Sequence, residues 1–202
     1  HGIELWTYFY TDFGVDLQKR FFGHFLKGET RGWEKQPRVQ LQVRHIDRFV
    51  ERAEEDWPLP RTVWTKLYLE PTGQTLSDSA PSASGAIEYA ALGDGVTFLS
   101  APVAKQTEIT GPSALKLFVS SSTTDADLFV VLRVFAPDLK EVVFQGAIDP
   151  HTPIGQGWLR ASHRKLDRSL SLPYRPYHTH DEKQPLKPGV PVELDIEIWP
   201  TS

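Results

Sequence analysis

Two histidines separated by a single residue, His178 and His180, have a spacing that could bind a metal ion. On an extended strand, residues two positions apart face the same side, so both imidazoles would point in one direction. The following Asp181 and Glu182 could add a ligand, but two histidines constrain a zinc site only loosely. We therefore favour a solvated polar loop, and we expect no metal ion and no other cofactor.

The remaining polar clusters indicate structural roles. Asp125, Asp127 and Asp149 do not form the closely spaced acidic loop that binds calcium, so we interpret them as strand-end and turn carboxylates. Residues 162–165, Ser-His-Arg-Lys, follow a predicted strand and are interpreted as a solvated polar face. Neither cluster predicts a catalytic centre.

A serine nucleophile is the next chemistry that the sequence could carry. Hydrolases of the α/β type present this serine on a strained turn, usually Gly-x-Ser-x-Gly, and no such pentapeptide occurs here. The nearest segments, residues 111–113 and 84–85, are interpreted as ordinary turns. The chain has no cysteine, which excludes a thiol nucleophile, thiolate metal ligands and disulfides.

Charge and composition exclude further classes of function. The 22 Lys and Arg residues against 26 Asp and Glu residues give a net charge of −4, so nucleic acid is not an expected partner. No apolar run approaches the roughly 18 to 20 residues of a membrane span, and we expect a soluble, cytoplasmic protein without a membrane partner. The absence of Met and the first residue, His1, predict a piece of a longer protein.

An amphipathic helix is predicted over residues 16–26, where apolar positions repeat with helical spacing. Five residues form the apolar stripe: Leu17, Phe21, Phe22, Phe25 and Leu26. Asp12 or Asp16 is the expected cap at the start, and Lys27 and Gly28 supply the cation and glycine typical of the end. We expect this stripe to pack in a core.

After residue 37 the apolar period changes to two, which is typical of strands. The predicted strands cover residues 38–44, 64–69, 96–99, 115–120, 128–135, 142–147, 158–162 and 192–199. Residues 128–132 are apolar on both faces and should lie centrally, residues 74–85 should form an exposed connection, and the proline-rich residues 170–188 should wrap a sheet edge. Short strands without intervening helices predict an antiparallel sandwich or barrel.

Two groups of motifs follow one another along the chain. The first is residues 21–28 (FFGHFLKG), 37–41 (PRVQL), 56–60 (DWPLP) and 64–69 (WTKLYL). The second is residues 115–121 (LKLFVSS), 125–128 (DADL), 157–162 (GWLRAS) and 186–189 (LKPG). In order and spacing they closely resemble the C-terminal part of the X-Pro dipeptidyl-peptidase and cocaine-esterase (CocE/NonD) family of serine hydrolases.

The resemblance implies an architecture and a parent activity. Members of this family join an α/β-hydrolase domain, a helical cap and a C-terminal jelly-roll. Residues 1–35 would then be the remnant of the hydrolase domain, ending in its last helix, and residues 36–202 a mainly β, antiparallel jelly-roll β-sandwich that continues beyond Ser202. The parent would be a serine hydrolase acting on a small-molecule acyl ester or amide, including X-Pro dipeptidyl bonds.

One catalytic residue is implied within the chain. In the family, the catalytic histidine stands ahead of the closing helix, which corresponds to His1. Its role would be general base toward the serine and then general acid toward the leaving group. The serine and the aspartate would precede His1, so the chain alone would lack the nucleophile; the other interpretation of His1 is a tag remnant.

Two rival functions remain open. Jelly-rolls also serve as carbohydrate-binding modules, and Trp158, Tyr174 and Tyr177 could stack on sugars. A structural module that only stabilises its enzyme is the other rival. The apolar helix argues against a stand-alone module, because it needs a covering partner: the N-terminal hydrolase domain of the same protein or, in a homo-oligomer, another copy of the chain.

Overall fold

The computed structural model describes residues 10–144, 149 and 151–202, and these form two compact units. One unit combines the described residues up to Pro60 with those from Thr110 to Ser202, and the other is Arg61–Ile109. Among the described residues, no helix is long and apolar enough to cross a membrane. The domain boundary after residue 35 stays a prediction.

The predicted amphipathic helix forms, and it starts earlier than expected. Helix α1 covers Asp12–Lys27. Thr11, rather than Asp12 or Asp16, caps its start, since the Thr11 hydroxyl accepts a hydrogen bond from the Gly14 N–H at 3.3 Å. Gly28 ends the helix as predicted, in the left-handed conformation with φ 66°, and its N–H donates to the His24 carbonyl at 3.2 Å.

Eleven strands and two short 3₁₀ helices, Trp33–Lys35 and Ala161–His163, complete the described secondary structure. The strands are β1 Val39–Arg44, β2 Phe49–Glu54, β3 Tyr68–Glu70, β4 Thr75–Ser77, β5 Leu99–Ser100, β6 Gly111–Val119, β7 Asp127–Leu132, β8 Val134–Phe135, β9 Glu141–Val142, β10 Gly155–Arg160 and β11 Val192–Thr201. The sequence did not predict β2 or β4, and the predicted strand at 142–147 extends into residues 145–147, which lie outside the described residues.

The main unit is an antiparallel β-sandwich. Strand β11 pairs with β6 and strand β10 pairs with β7, both antiparallel. The alternating residues of these strands face one core, whose buried members are Leu159, Ala161, Leu186, Leu194 and Ile196. Strict alternation in β11 explains this packing, because residues two apart share a face. The predicted jelly-roll sandwich class is confirmed.

Glycine allows β10 to lie directly against β11. A Cβ atom on Gly157 would come within 2.0 Å of the Glu197 carbonyl oxygen, and one on Gly155 within 3.1 Å of the Ile198 side chain. No side chain fits at position 157 without moving backbone. The two strands can therefore approach closely enough for Leu159 to join the core around Ile196.

The β1–β2 hairpin is attached to the end of β11 through Arg44. The Arg44 backbone N–H donates to the Ser202 carbonyl at 3.1 Å. Its guanidinium donates to the Ser202 and Ile154 carbonyls at 3.1 and 3.3 Å and to the Thr201 hydroxyl. The guanidinium also lies 4.6 Å from the centre of the Phe144 ring. Burial lowers the pKa of Arg44 below its ordinary value.

Strand β7 differs from its predicted central position. Phe129 and Val131 point outward and are 78% and 51% exposed, so only one face of this apolar strand is covered. Residues 111–113 also differ, because they begin β6 instead of forming a turn. The segment 170–188 forms no strand, and it is tied back by backbone hydrogen bonds such as Leu186 N–H to the Thr124 carbonyl, at 2.8 Å.

The second unit is described by itself. Its three strands form one small sheet in the order β3, β4, β5. The β3–β4 pair is antiparallel, whereas β4 and β5 pair in parallel, with Thr75 opposite Leu99. The antiparallel prediction therefore holds for the sandwich and fails for this edge of the smaller sheet. The predicted strand at 64–69 is reduced to its last residues, from Tyr68 on.

Candidate functional site

The predicted catalytic residue, His1, lies outside the described residues. Three surface features of the main unit carry the remaining chemistry. They are the apolar face of helix α1, a row of aromatic side chains on the outer face of the sandwich, and a histidine cluster beside β10. Each combines side chains from separate parts of the chain.

The apolar face of α1 is largely uncovered. Phe22, Phe25 and Leu26 are each more than half exposed, and Phe21 is two-fifths exposed. The rings pack on one another and on Trp33, with ring centres 4.9 Å apart for Phe21 and Phe25 and 5.2 Å apart for Phe21 and Trp33. The stripe was expected to pack in a core, and within the chain it forms a solvent-facing aromatic surface instead.

A shallow cleft of about 500 Å³ opens beside this face. Its apolar lining includes Tyr10, Val15 and Phe22, and an ion pair between Arg31 and Glu29 forms part of its wall. A Cβ atom on Gly23 would meet the Glu29 carboxylate at 2.8 Å, so the glycine makes room for this ion pair against the helix. The cleft therefore joins an apolar surface to a charged edge. 

The aromatic row lies on the outer face of three strands and consists of Phe129, Trp158 and Trp199. Phe129 of β7 is the direct cross-strand partner of Trp158 in β10. The Trp158 and Trp199 rings are 4.9 Å apart at their centres and inclined by 59°, and the two side chains are 52% and 59% exposed. Such a contiguous apolar surface on a folded domain is typical of a binding interface.

Charged groups border the aromatic row. The guanidinium of Arg160 donates to both carboxylate oxygens of Asp127, at 2.7 and 2.9 Å. The side-chain hydrogen bond from Arg160 lowers the pKa of Asp127 below its ordinary value. This pair joins the ends of β7 and β10, so Asp127 is a strand-end carboxylate as predicted.

Asp125 has a structural role, because it binds Ser162, the first residue of the segment 162–165 that was predicted to be solvated. Its carboxylate accepts hydrogen bonds from the Ser162 N–H at 2.9 Å and the Ser162 hydroxyl at 2.7 Å. Burial would raise the pKa of Asp125, but these bonds and one from the Ala126 N–H outweigh it and hold the pKa below its ordinary value. Ser162 is only 3% exposed, so the prediction of a solvated face is wrong there. Its hydroxyl is engaged in structure.

The histidine cluster joins three residues. His163 and His180 approach with their Nδ1 atoms 3.1 Å apart, and the ring of His178 lies 6.0 Å from that of His180. Burial, and then repulsion from His180, lower the pKa of His178. Within the described chain, no group of three or more His, Cys, Asp or Glu side chains is placed to hold a metal ion. The spacing placed His178 and His180 on one strand face of a loop that was predicted to be solvated, whereas the structure brings His180 into contact with His163 from a separate segment.

An ion-pair group lies beside these histidines. The Lys165 ammonium is 3.0 Å from the Asp181 carboxylate and 3.1 Å from that of Glu182. Its hydrogen bonds to Asp181 and then to Glu182 raise the pKa of Lys165 above its ordinary value. The two carboxylates that followed His180 in the sequence are thus engaged by a lysine. Sequence spacing could not reveal this contact, since Lys165 and Asp181 are 16 residues apart.

Comparison with known proteins identifies the family. Residues 31–202 match the family described as the X-Pro dipeptidyl-peptidase C-terminal non-catalytic domain. The "Putative serine esterase Mb1866c" of Mycobacterium bovis is 28% identical over 91% of this chain and 32% of its own length. The cocaine esterase of Rhodococcus sp. is 29% identical over 60% of this chain and 28% of its own length.

Comparison with solved structures points to the same family. A CocE/NonD family hydrolase from Staphylococcus aureus, SACOL2612, superimposes with a TM-score of 0.88 at 30% identity, over 97% of this chain and 36% of that one. An aminopeptidase from a marine sediment Thaumarchaeota archaeon shares the fold, with a TM-score of 0.61 at 18% identity. The chain spans about a third of the length of these relatives. It belongs to the X-Pro dipeptidyl-peptidase C-terminal domain family, as it occurs in CocE/NonD hydrolases.

Proposed function

We propose that this chain is the C-terminal part of a serine hydrolase that cleaves ester or amide bonds, and that its jelly-roll packs on and completes the catalytic domain. The observation that carries the proposal is the uncovered apolar face of α1. A helix with three large side chains more than half exposed requires a covering surface. The relatives, about three times as long as this chain, have the length to supply one.

The energetic argument favours docking of this face. Burying one large apolar side chain contributes roughly 1.5 to 3 kcal/mol, so covering Phe22, Phe25 and Leu26 supplies an amount comparable to the stability of a small domain. Trp33 and Phe21 already hold the stripe in one arrangement through ring contacts. Little side-chain entropy remains to be lost when a partner surface covers it.

The aromatic row provides a second docking surface on the same unit. Phe129, Trp158 and Trp199 project from paired strands, which fixes their spacing before any partner arrives. Indole rings carry large contact areas with few rotatable bonds, and they are enriched where interfaces bind tightly. The Arg160–Asp127 pair at its border adds charges that could select orientation.

His1 is the residue that we propose for catalysis in the parent. By the family resemblance, it removes the proton from the serine hydroxyl as that oxygen attacks the substrate carbonyl, and then protonates the leaving alkoxide or amine. In the described part of the chain, Ser162 is hydrogen-bonded to Asp125 and the chain offers no Gly-x-Ser-x-Gly turn. The nucleophile is therefore assigned to the preceding domain.

Docking is tested by joining the chain to its preceding domain and weakening one surface at a time. Phe25→Ser on the α1 face should lower hydrolysis of a p-nitrophenyl ester by the full-length protein and release hydrophobic dye-binding surface. Leu139→Ser is the matched control, because Leu139 is an exposed apolar residue at the tip of the β8–β9 turn, away from the α1 face. Equal activity and dye binding in both variants would contradict the docking proposal.

The catalytic assignment has a separate test. The 202-residue chain alone should not hydrolyse a p-nitrophenyl ester. In the full-length protein, His1→Ala should lower kcat by about 10³-fold or more without changing the melting temperature. Comparing acyl esters with X-Pro p-nitroanilides then identifies the scissile bond. A His1→Ala variant whose kcat equals that of the unchanged protein would show that His1 is not the catalytic base.

A carbohydrate-binding module is the second candidate, and the exposed Trp158–Trp199 pair favours it. Two indoles with centres 4.9 Å apart could stack on a sugar ring. Tyr174 and Tyr177, the other two candidate residues, lie in the segment 170–188, which forms no strand. The carbohydrate-binding function would replace the docking proposal if the chain is monomeric, unfolds cooperatively and binds glycans on an array, and if Trp158→Ala abolishes that binding. A chain that is oligomeric or binds hydrophobic dye supports the docking proposal instead.

A further inference from the structure

His163 and His180 come together from two different segments. His163 ends the 3₁₀ helix after β10, and His180 lies 17 residues later, where its backbone adopts φ 53°. Non-glycine residues rarely occupy this left-handed region, so the fold holds His180 in a conformation that costs free energy. The result is a contact between two like atoms, Nδ1 of each ring, at 3.1 Å.

This separation agrees with the geometry of a shared metal ion. With metal–nitrogen bonds of about 2.0 to 2.1 Å, two imidazole ligands at a tetrahedral angle have nitrogens about 3.3 to 3.4 Å apart. At a square-planar angle the separation is about 2.9 Å. The observed 3.1 Å lies between the two values. A small movement of either ring would reach either geometry.

The surroundings of the pair tolerate an added positive charge. Asp181 and Glu182 are immediately next to His180 and share only one counter-ion, Lys165. His178, the third ring, lies farther off, with its ring centre 6.0 Å from that of His180. The net charge of Asp181, Glu182 and Lys165 is therefore −1, which attracts a cation to this part of the surface.

We propose that His163 and His180 form a two-histidine site for a divalent transition-metal ion such as Zn²⁺ or Cu²⁺, bound through both Nδ1 atoms. Water occupies the remaining coordination positions, because the described residues offer no third ligand in place. The site is independent of the proposed catalytic residues. It links the segment after β10 to the segment 170–188.

The competing explanation of the 3.1 Å contact is a hydrogen bond in which one imidazole N–H donates to the other ring. The two explanations differ in their response to metal. A hydrogen-bonded pair binds no ion, whereas a metal site requires both rings to be neutral and loses its ion on protonation. Metal binding and its pH dependence therefore separate them.

The test uses the full-length protein with any purification tag removed. Equilibrium dialysis against Zn²⁺ at about pH 7.5, and then about pH 5.5, measures the ions bound per chain above and below the range in which histidine titrates. We expect His163→Ala and His180→Ala each to bind one ion fewer than the unchanged protein at the higher pH. His151→Ala, at an exposed histidine outside the cluster, should bind the same number.

Folding is checked for every variant by circular dichroism and by the melting temperature without metal. Equal zinc content in the unchanged protein and in both folded cluster variants would overturn the proposal. So would the loss of the ion in His151→Ala alone. If one cluster variant unfolds, His163→Gln or His180→Gln replaces it, since glutamine keeps a hydrogen-bonding side chain but is a poor ligand for zinc.

Discussion

The inner and outer faces of β10 and β11 are built from alternate residues of the same two strands, yet they have opposite compositions. The inner face has glycine and aliphatic residues, among them Gly157, Leu159 and Ile196, and it is buried. The outer face of these strands carries Trp158 and Trp199, with half or more of each side chain exposed. One strand pair thus supports a sealed core and an open aromatic surface.

The difference shows that apolar character alone does not identify a core. The packing of the inner face depends on shape complementarity, because the lack of a Cβ atom at Gly157 lets the backbones of β10 and β11 come into contact. The outer face has large rigid rings that remain exposed. Substitutions on the inner face should therefore affect folding, and substitutions on the outer face should affect association.

The largest effect is expected from Gly157→Val. Its Cβ would overlap the Glu197 carbonyl oxygen, so β10 must separate from β11 and the core must open. We expect little soluble folded chain, measured by expression yield and circular dichroism. Gln156→Ala, at the next position of the same strand, should fold normally. A folded Gly157→Val chain would show that the close approach of the strands is dispensable.

Ile196→Ala should have the next largest effect on folding. Ile196 is fully buried in the core, so truncation removes apolar contacts and leaves a cavity, at a cost of about 2 to 5 kcal/mol. Urea unfolding monitored by tryptophan fluorescence measures the loss. A decrease in the free energy of unfolding of less than about 1 kcal/mol would mean that the core repacks around position 196. The contrast between the inner and outer faces would then be weaker than proposed.

Asp125→Ala and Asp127→Ala compare two carboxylates at the start of one strand. Removing Asp125 leaves the N–H and hydroxyl of buried Ser162 without their acceptor, a loss of about 1 to 3 kcal/mol. Asp127 forms an exposed ion pair with Arg160, and its removal should have a smaller effect. Urea midpoints of the two variants test the order, and a larger effect at Asp127 would contradict it.

The same pair predicts a pH dependence. The folded-state pKa of Asp125 is lowered, so its stabilising contribution is present above the ordinary carboxyl pKa and is lost as the pH falls through the folded value. Asp125→Ala should therefore lose less stability on acidification than the unchanged chain. Melting temperatures between neutral pH and about pH 3 measure this difference.

Trp158→Ala should have the smallest effect on folding. Its ring is half exposed, and removing its contact with Trp199 costs about 0.5 to 1.5 kcal/mol. In the full-length protein the same substitution should weaken domain docking and so lower the hydrolytic activity. In the isolated chain it should leave the urea unfolding midpoint almost unchanged. A loss of stability as large as that of Ile196→Ala would erase the distinction between the faces.

Much of this architecture could be predicted where one face of an element is uniformly buried. Strand β11 was predicted because its apolar and charged residues alternate strictly. Helix α1 and its Gly28 end were predicted from spacing and from the glycine signal. Strand β2 was not, because Phe49 and Val50 are adjacent and both exposed, which breaks the period of two.

The candidate sites were harder to predict, since they depend on contacts between distant residues. Strand β7 was assigned a central position because Phe129 and Val131 are apolar, although they face outward on the aromatic side. Spacing placed His180 and His178 on one face of a loop predicted to be solvated, and it did not indicate His163, which the fold brings to His180. Sequence periodicity reports which residues share a face, and it contains no information on what lies opposite.

The pairing of β6 with β11 also has a consequence for the speed of folding. Lys116 and Glu193 meet across this pair although they are 77 residues apart, and Arg44 reaches Ser202 across 158 residues. Closing such long loops lowers the chain entropy before the stabilising core contacts form. A fold with contacts so distant in sequence therefore reaches its native state slowly. Until β11 arrives, the apolar face of β6 remains open to other chains. A chaperone that shields that face during synthesis would raise the yield of the protein more than it raises its final stability.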